Sequence, residues 1–218
     1  MKSMTKLGSR LFSMLLALLC VLGLFPTAAF AAETTPSTIK LTNCTYNGTH
    51  YESPALGVCY MHQMRYDYDG DSVMGFCSEK GKGMGWSLEG HKWDKPEPIS
   101  DPTVKNVMAY FYCHTSGVFT DQAISLGVAE TWGPDYVWVM NAWVQAIVWR
   151  YKEGLFSDPA TACAEELMYV HNNINGTNFK SIDDELEGWS FRDRALYILG
   201  LGEQGVWGEC DVYEYHYA

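Results

Sequence analysis

The segment from Asp135 to Gly154, DYVWVMNAWVQAIVWRYKEG, constrains the fold more than any other part of the chain. Its length, with Gly154 as a stop, predicts a helix. Trp138, Trp143 and Trp149 project from that helix in different directions, so other elements must enclose it on most sides. Polar residues inside such a helix need a reason. At about 100° per residue, Asn141, Gln145, Val148 and Lys152 fall within about 60° of one another, forming a mildly polar stripe. The stripe can simply face water, and Arg150, nearly opposite Gln145, predicts a second wet edge. If Gln145 is enclosed instead, its amide must find hydrogen-bond partners or cost roughly 1–3 kcal/mol.

The beginning of the chain reads as an export signal. Lys2, Lys6 and Arg10 form a basic region, Leu11 to Leu24 an apolar run, and Ala29-Phe30-Ala31 a small-x-small cleavage site. The run is short for a membrane span, so residues 1–31 are predicted to be a cleaved signal peptide rather than an anchor. Residues 32–38 are a polar, proline-containing flexible leader, and residues 39–218 are long enough for one compact domain. No second apolar run would hold the mature chain in a membrane. The formal charge of −11 speaks against nucleic acid and anionic lipid as partners.

Six cysteines follow the cleavage site: Cys44, Cys59, Cys77, Cys113, Cys163 and Cys210. In an exported chain they would ordinarily pair as disulfides, in an order that spacing does not choose. There is no CxxC pair or His-rich cluster, and Cys113-His114 is only an adjacent pair, so no metal or other cofactor is implied. Asn43, Asn47 and Asn175 stand in glycosylation sequons.

From Ile39 to Phe76 the chain reads as short extended pieces such as GVCYMHQM and SVMGF, separated by turns such as YDGD. A Gly-rich loop, SEKGKGMGW, and a Pro-punctuated segment, KPEPISDP, come next. A helix is predicted to start with Asp101 as N-cap and Pro102 in first position, running through VKNVMAYFY. After the tryptophan-rich helix, another is capped by Ser157 or Asp158 and stopped at Asn175-Gly176. The alternation in GVWGECDVYEYHY predicts a closing strand. Strands at both ends with helices between them predict an α+β domain, a β-sandwich or barrel-like part with an inserted helical subdomain.

The segment VQAIVW, Val144 to Trp149, resembles the TQxAxW signature of thioester domains from Gram-positive surface adhesins. MGFCSEKGKGMGW resembles that family's aromatic-Cys-then-Gly-rich element, and NVMAYFYCHTSG resembles its Tyr-rich helix. The order of the three matches, with 68 residues between Cys77 and Gln145. The resemblance covers Phe76 to the end of the chain; residues 34–73 have no counterpart in it. Val144 stands where Thr is usual, and Cys113 inherits no role. The resemblance implies that Cys77 and Gln145 form an internal thioester, with Cys59 as the runner-up sulfur. It further implies a secreted domain displayed at the surface of a Gram-positive bacterium. Such a domain attaches once, covalently, to a Lys amine of a host or surface protein and is not a turnover enzyme. If Cys77 is used in this way, the remaining cysteines make two disulfides and a single thiol in the simplest count. Gly200-Leu201-Gly202-Glu203-Gln204 copies the GCGEQ thioester motif of complement proteins, but Leu201 replaces the required Cys, and the segment reads as a turn.

Two other classes fit parts of the pattern. A secreted cysteine hydrolase would use Cys77 as nucleophile with His91, His114 or His171 as base. A disulfide-stabilised, non-covalent binding module would pair all six cysteines.

Overall fold

Alternating burial drives the first part of the chain into strands, as in Gln63–Tyr68, where Met64 and Tyr66 turn inward and Arg65 outward. The computed structural model describes residues 36, 38–45, 50–80, 90–126 and 134–217. The predicted signal peptide, most of the predicted leader and residues 81–89 lie outside them. Strands β1 (Thr38–Thr45), β4 (Gln63–Tyr68), β5 (Asp71–Gly75), β6 (Lys92–Ile99) and β9 (Val212–Tyr217) form one curled antiparallel sheet, a half-barrel, in the order β5-β4-β1-β6-β9. The β4–β5 hairpin closes on Asp69-Gly70, both at positive φ, and Gly70 N–H donates to Asp67 Oδ1 at 2.9 Å. That is the turn chemistry of a two-residue Asp-Gly loop.

A second hairpin, β2 (His50–Ser53) with β3 (Gly57–Tyr60), leaves this sheet between β1 and β4. It delivers Tyr51, Leu56, Cys59 and Met61 to a core made mainly by helices. Five helices follow β6 in the chain: α1 (Pro102–Ser116), α2 (Asp121–Ser125), α3 (Pro134–Lys152), α4 (Pro159–Ile174) and α5 (Phe191–Glu203), with the short pair β7 (Glu185–Leu186) and β8 (Trp189–Ser190) before α5. β6 and β9 are neighbours in the sheet, so the helices occupy the connection between two paired strands. Leu41, Cys44, Met64, Tyr66 and Trp93 form the sheet's own core.

The helix signals hold. Asp101 caps α1 by accepting from the N–H groups of Thr103 and Val104 at 2.9 and 3.0 Å. Asp158 caps α4, which ends at Asn175 with Gly176 in the left-handed region.

Other expectations change. KPEPISDP contributes strand β6 despite Pro96 and Pro98. A register shift between Asp94 and Glu97, with Lys95 at φ 56°, takes up residues that cannot all donate to a ladder. GLGEQ is the last turn and cap of α5, not a free-standing turn. A Cβ at Gly202 would fall 2.6 Å from Asn106 Cγ, so glycine lets α5 approach α1. Cys44, Cys59, Cys77, Cys113, Cys163 and Cys210 stand as thiols rather than disulfides. Cys59, Cys113 and Cys163 lie in the helical core, where burial raises their pKa and makes them poor nucleophiles.

Arg150 is not at a wet edge. It is 6 % exposed, with Nε donating to Glu166 Oε1 at 2.6 Å and Nη2 to Glu165 Oε2 at 2.7 Å. Ser53 Oγ donates to the same Glu166 oxygen at 3.3 Å, tying the β2–β3 hairpin to α4. Burial pushes the Glu166 pKa from 4.5 up to about 8, with Arg150 Nε 2.6 Å away. A carboxyl raised in the folded state contributes stability that is full below 4.5 and is lost as the pH climbs to about 8. Arg150→Met removes the countercharge. It is therefore expected to cost about 3–5 kcal/mol at alkaline pH and much less near pH 5, where Glu166 is protonated. Urea unfolding at the two pH values measures this; equal losses would show that charge is not what Arg150 supplies.

Candidate functional site

Every residue of α3 from Val139 to Arg150 is buried, and Gln145 is 2 % exposed. It does not face water. Its amide is satisfied at both ends by one residue: Cys77 N–H donates to Gln145 Oε1 at 2.8 Å, and Gln145 Nε2 donates to the Cys77 carbonyl at 2.6 Å. The side chain thus pairs with the backbone of Cys77 much as a neighbouring strand would.

Several features hold Cys77 there. It follows β5 by two residues, after Phe76, whose ring meets Phe111 of α1 edge-on at 5.3 Å between centroids. Gly75 is required by the sheet: a Cβ there would lie 2.4 Å from Tyr66 Cε2. Tyr66 in turn packs edge-on against Trp93 at 5.6 Å. Burial first, and Cys77 and Cys44 second, raise the pKa of its phenol, and both cysteines belong to the cluster around its ring. Cys77 packs against the helical core and the sheet core at once, while remaining partly exposed. Its Sγ donates to the Glu79 carbonyl at 3.0 Å.

The next residue is fastened too. Ser78 hydrogen-bonds to Glu214 of β9, and Lys152 Nζ reaches Glu214 Oε2 at 2.6 Å. Burial raises the Glu214 pKa, but those two hydrogen bonds and the Lys152 charge outweigh it and keep the carboxylate ionised. This knot joins the end of α3, the closing strand and the residue after Cys77.

The arrangement has a clear chemical capacity. The Cys77 N–H polarises the Gln145 carbonyl and lies where an oxyanion would develop. The sulfur belongs to the same residue as the clamp. Rotation about the Cys77 Cα–Cβ bond moves it without disturbing either hydrogen bond.

Cys59 is placed elsewhere, on β3, with Sγ directed to the carbonyls of Leu56 and Gly57 at 4.0 and 3.6 Å. Of the histidines considered as bases, His114 lies on α1 and His171 on α4. His114 Nδ1 lies 2.9 Å from the Tyr110 carbonyl, and its ring packs on Tyr110, Phe119 and Trp207. His171 Nδ1 lies 3.0 Å from Asn175 Nδ2, and burial lowers its pKa to about 4. His91 precedes β6, and its carbonyl accepts from Leu41 N–H. Among the described residues no group of three or more His, Cys, Asp or Glu could hold a metal ion, and no helix is long and apolar enough to cross a membrane.

Two polar residues flank Gln145 whose burial the sequence does not reveal. Asn141, one turn earlier on the same face, is wholly buried, and neither its Oδ1 nor its Nδ2 has a hydrogen-bond partner. Trp149, one turn later, has a buried Nε1 in the same condition. The polar stripe marked Asn141 in the sequence, but nothing there distinguished a buried amide from a solvated one.

No protein-family model matches the chain, and neither a curated protein nor a solved structure matches it.

Gln145→Leu strips the Cys77 N–H and carbonyl of their partners and is expected to cost about 1–3 kcal/mol. Gln145→Glu keeps the acceptor but turns a carboxylate toward the Cys77 carbonyl, so it should be tolerated better at pH 4 than at pH 8. Urea midpoints read both effects, and unchanged midpoints would mean that Gln145 does not hold the Cys77 main chain.

Proposed function

We propose that this chain is an exported domain that stores an acyl group as a thioester between Cys77 and Gln145 and spends it once, on an amine of another protein. The observation that carries the reading is the two-point pairing of the Gln145 carboxamide with Cys77 across 68 residues of sequence. Pairs of chemistry-bearing residues meet in this way only when the fold brings them together, and here the meeting partners are a thiol residue and an electrophilic carbon.

The step balances simply. The Cys77 sulfur forms a bond to Gln145 Cδ, the C–Nε2 bond breaks, and the thiol proton leaves with the nitrogen as ammonia. Developing negative charge on Oε1 is met by the Cys77 N–H. An incoming amine then reverses the sequence with a different nitrogen. It bonds to Cδ, the C–S bond breaks, and a proton from the amine returns to sulfur. Thiolate is a far better leaving group than an amide nitrogen, so the resulting amide persists and the reaction occurs once per molecule. Enclosure of α3 slows competing hydrolysis by keeping water from the carbon.

On this reading the partner is a protein presenting a Lys amine, on a host or another surface. The domain acts outside the cell at the surface of a Gram-positive bacterium. The half-barrel is a support into which the helical subdomain is inserted, and the thioester lies where the two meet.

Intact-mass measurement on gently handled mature protein is expected to show a deficit of about 17 Da, one ammonia, absent from Cys77→Ala and from Gln145→Ala. Treatment with a small primary amine should modify Gln145 once and release a thiol at Cys77. A wild type of full mass that takes up no amine would overturn the reading. Continuing product release from an unmodified Gln145 would assign a hydrolase instead.

A further inference from the structure

Asn141 is the polar residue of α3 to which the reaction above gives no task. It is fully buried with both ends of its amide unpartnered, a condition that destabilises a fold and that a leucine of similar volume would relieve. It lies one helical turn before Gln145 on the same face. Side chains on a helix lean toward its N-terminus, so the long Gln145 carboxamide extends over the turn that carries Asn141. In the resting amide each end of the Gln145 carboxamide is bonded to Cys77, and Asn141 bonds to neither.

We propose that Asn141 receives the attacking amine, and that this makes the site selective for primary amines. The inference rests on the thioester reading. In the stored thioester Nε2 has departed, and by microscopic reversibility a new nitrogen enters along the path by which ammonia left. The Cys77 carbonyl, 2.6 Å from Nε2 in the amide form, marks that position as one acceptor. Asn141 Oδ1 supplies a second. A neutral primary amine has two N–H bonds and one lone pair. Two acceptors hold both N–H bonds and leave the lone pair aimed at Gln145 Cδ. A secondary amine, with one N–H, can satisfy only one of them. As the N–Cδ bond forms and the Cδ–S bond breaks, one amine proton passes to the Cys77 sulfur. The remaining N–H of the product amide donates to the Cys77 carbonyl, as Nε2 does in the resting state.

The test uses methylamine and dimethylamine on the mature protein, with wild type and Asn141→Leu compared by intact mass and thermal melting. Asn141→Leu is expected to melt higher than wild type, yet to add methylamine at least about tenfold more slowly and to lose the preference for methylamine over dimethylamine. A folded variant that remains the Gln145 amide supports the same role, because ammonia departs through the same position. A variant that keeps the ammonia deficit and shows a methylamine rate within tenfold of wild type, with the preference intact, overturns the inference while the thioester stands. Loss of the deficit in wild type itself would instead fail the underlying reading. Should Asn141→Leu not fold, Asn141→Ser is read by the same outcomes.

Discussion

Hydrogen bonds of 2.8 and 2.6 Å join the Gln145 carboxamide to the main chain of Cys77, and through them the central helix is fastened to the end of the curled sheet. Cys77 lies two residues past β5 and packs against both apolar cores. A side-chain amide enclosed in α3 would be a liability anywhere else along that helix. Here it finds a donor and an acceptor on one residue, so a costly group becomes the point at which two parts of the fold meet.

Neighbouring features make sense as support for that contact. Gly75 leaves room for Tyr66, whose ring fills the sheet core beside Cys77. Phe76 anchors the preceding residue to α1, and the Ser78–Glu214–Lys152 knot secures the following one. The Cys77 backbone is thereby held from both sides. The proposed thioester chemistry would need the carbonyl held and polarised while the sulfur approaches.

Enclosing α3 also forces other polar groups inside. Arg150 is hydrogen-bonded to Glu165 and Glu166, and Ser53 brings the β2–β3 hairpin into the same cluster. The helix therefore carries charge on one side and the Gln145 stripe on another. Asn141 and Trp149 remain with unused polar atoms on either side of Gln145. Stability is given up at those positions, as is common where a fold holds groups in readiness for a reaction.

The features the sequence determined by itself are those closed by neighbours. Asp101 and Asp158 cap helices through N–H groups three or fewer residues away, and Asp69-Gly70 turns a hairpin within its own backbone. Such bonds form whatever the rest of the chain does, so residue type and spacing were enough. Gln145 and Cys77 could be marked as chemically interesting, through a resemblance and through a polar residue out of place. Tertiary structure decided the rest. β6 exists in spite of its prolines because β1 and β9 bracket it. Arg150 is buried because α4 brings two carboxylates to it, and Asn141 is buried because elements remote in sequence enclose its turn. Only the assembled fold could bring Gln145 to Cys77 rather than to Cys59, because a contact across 68 residues depends on how sheet and helices are placed, not on any local preference of the chain.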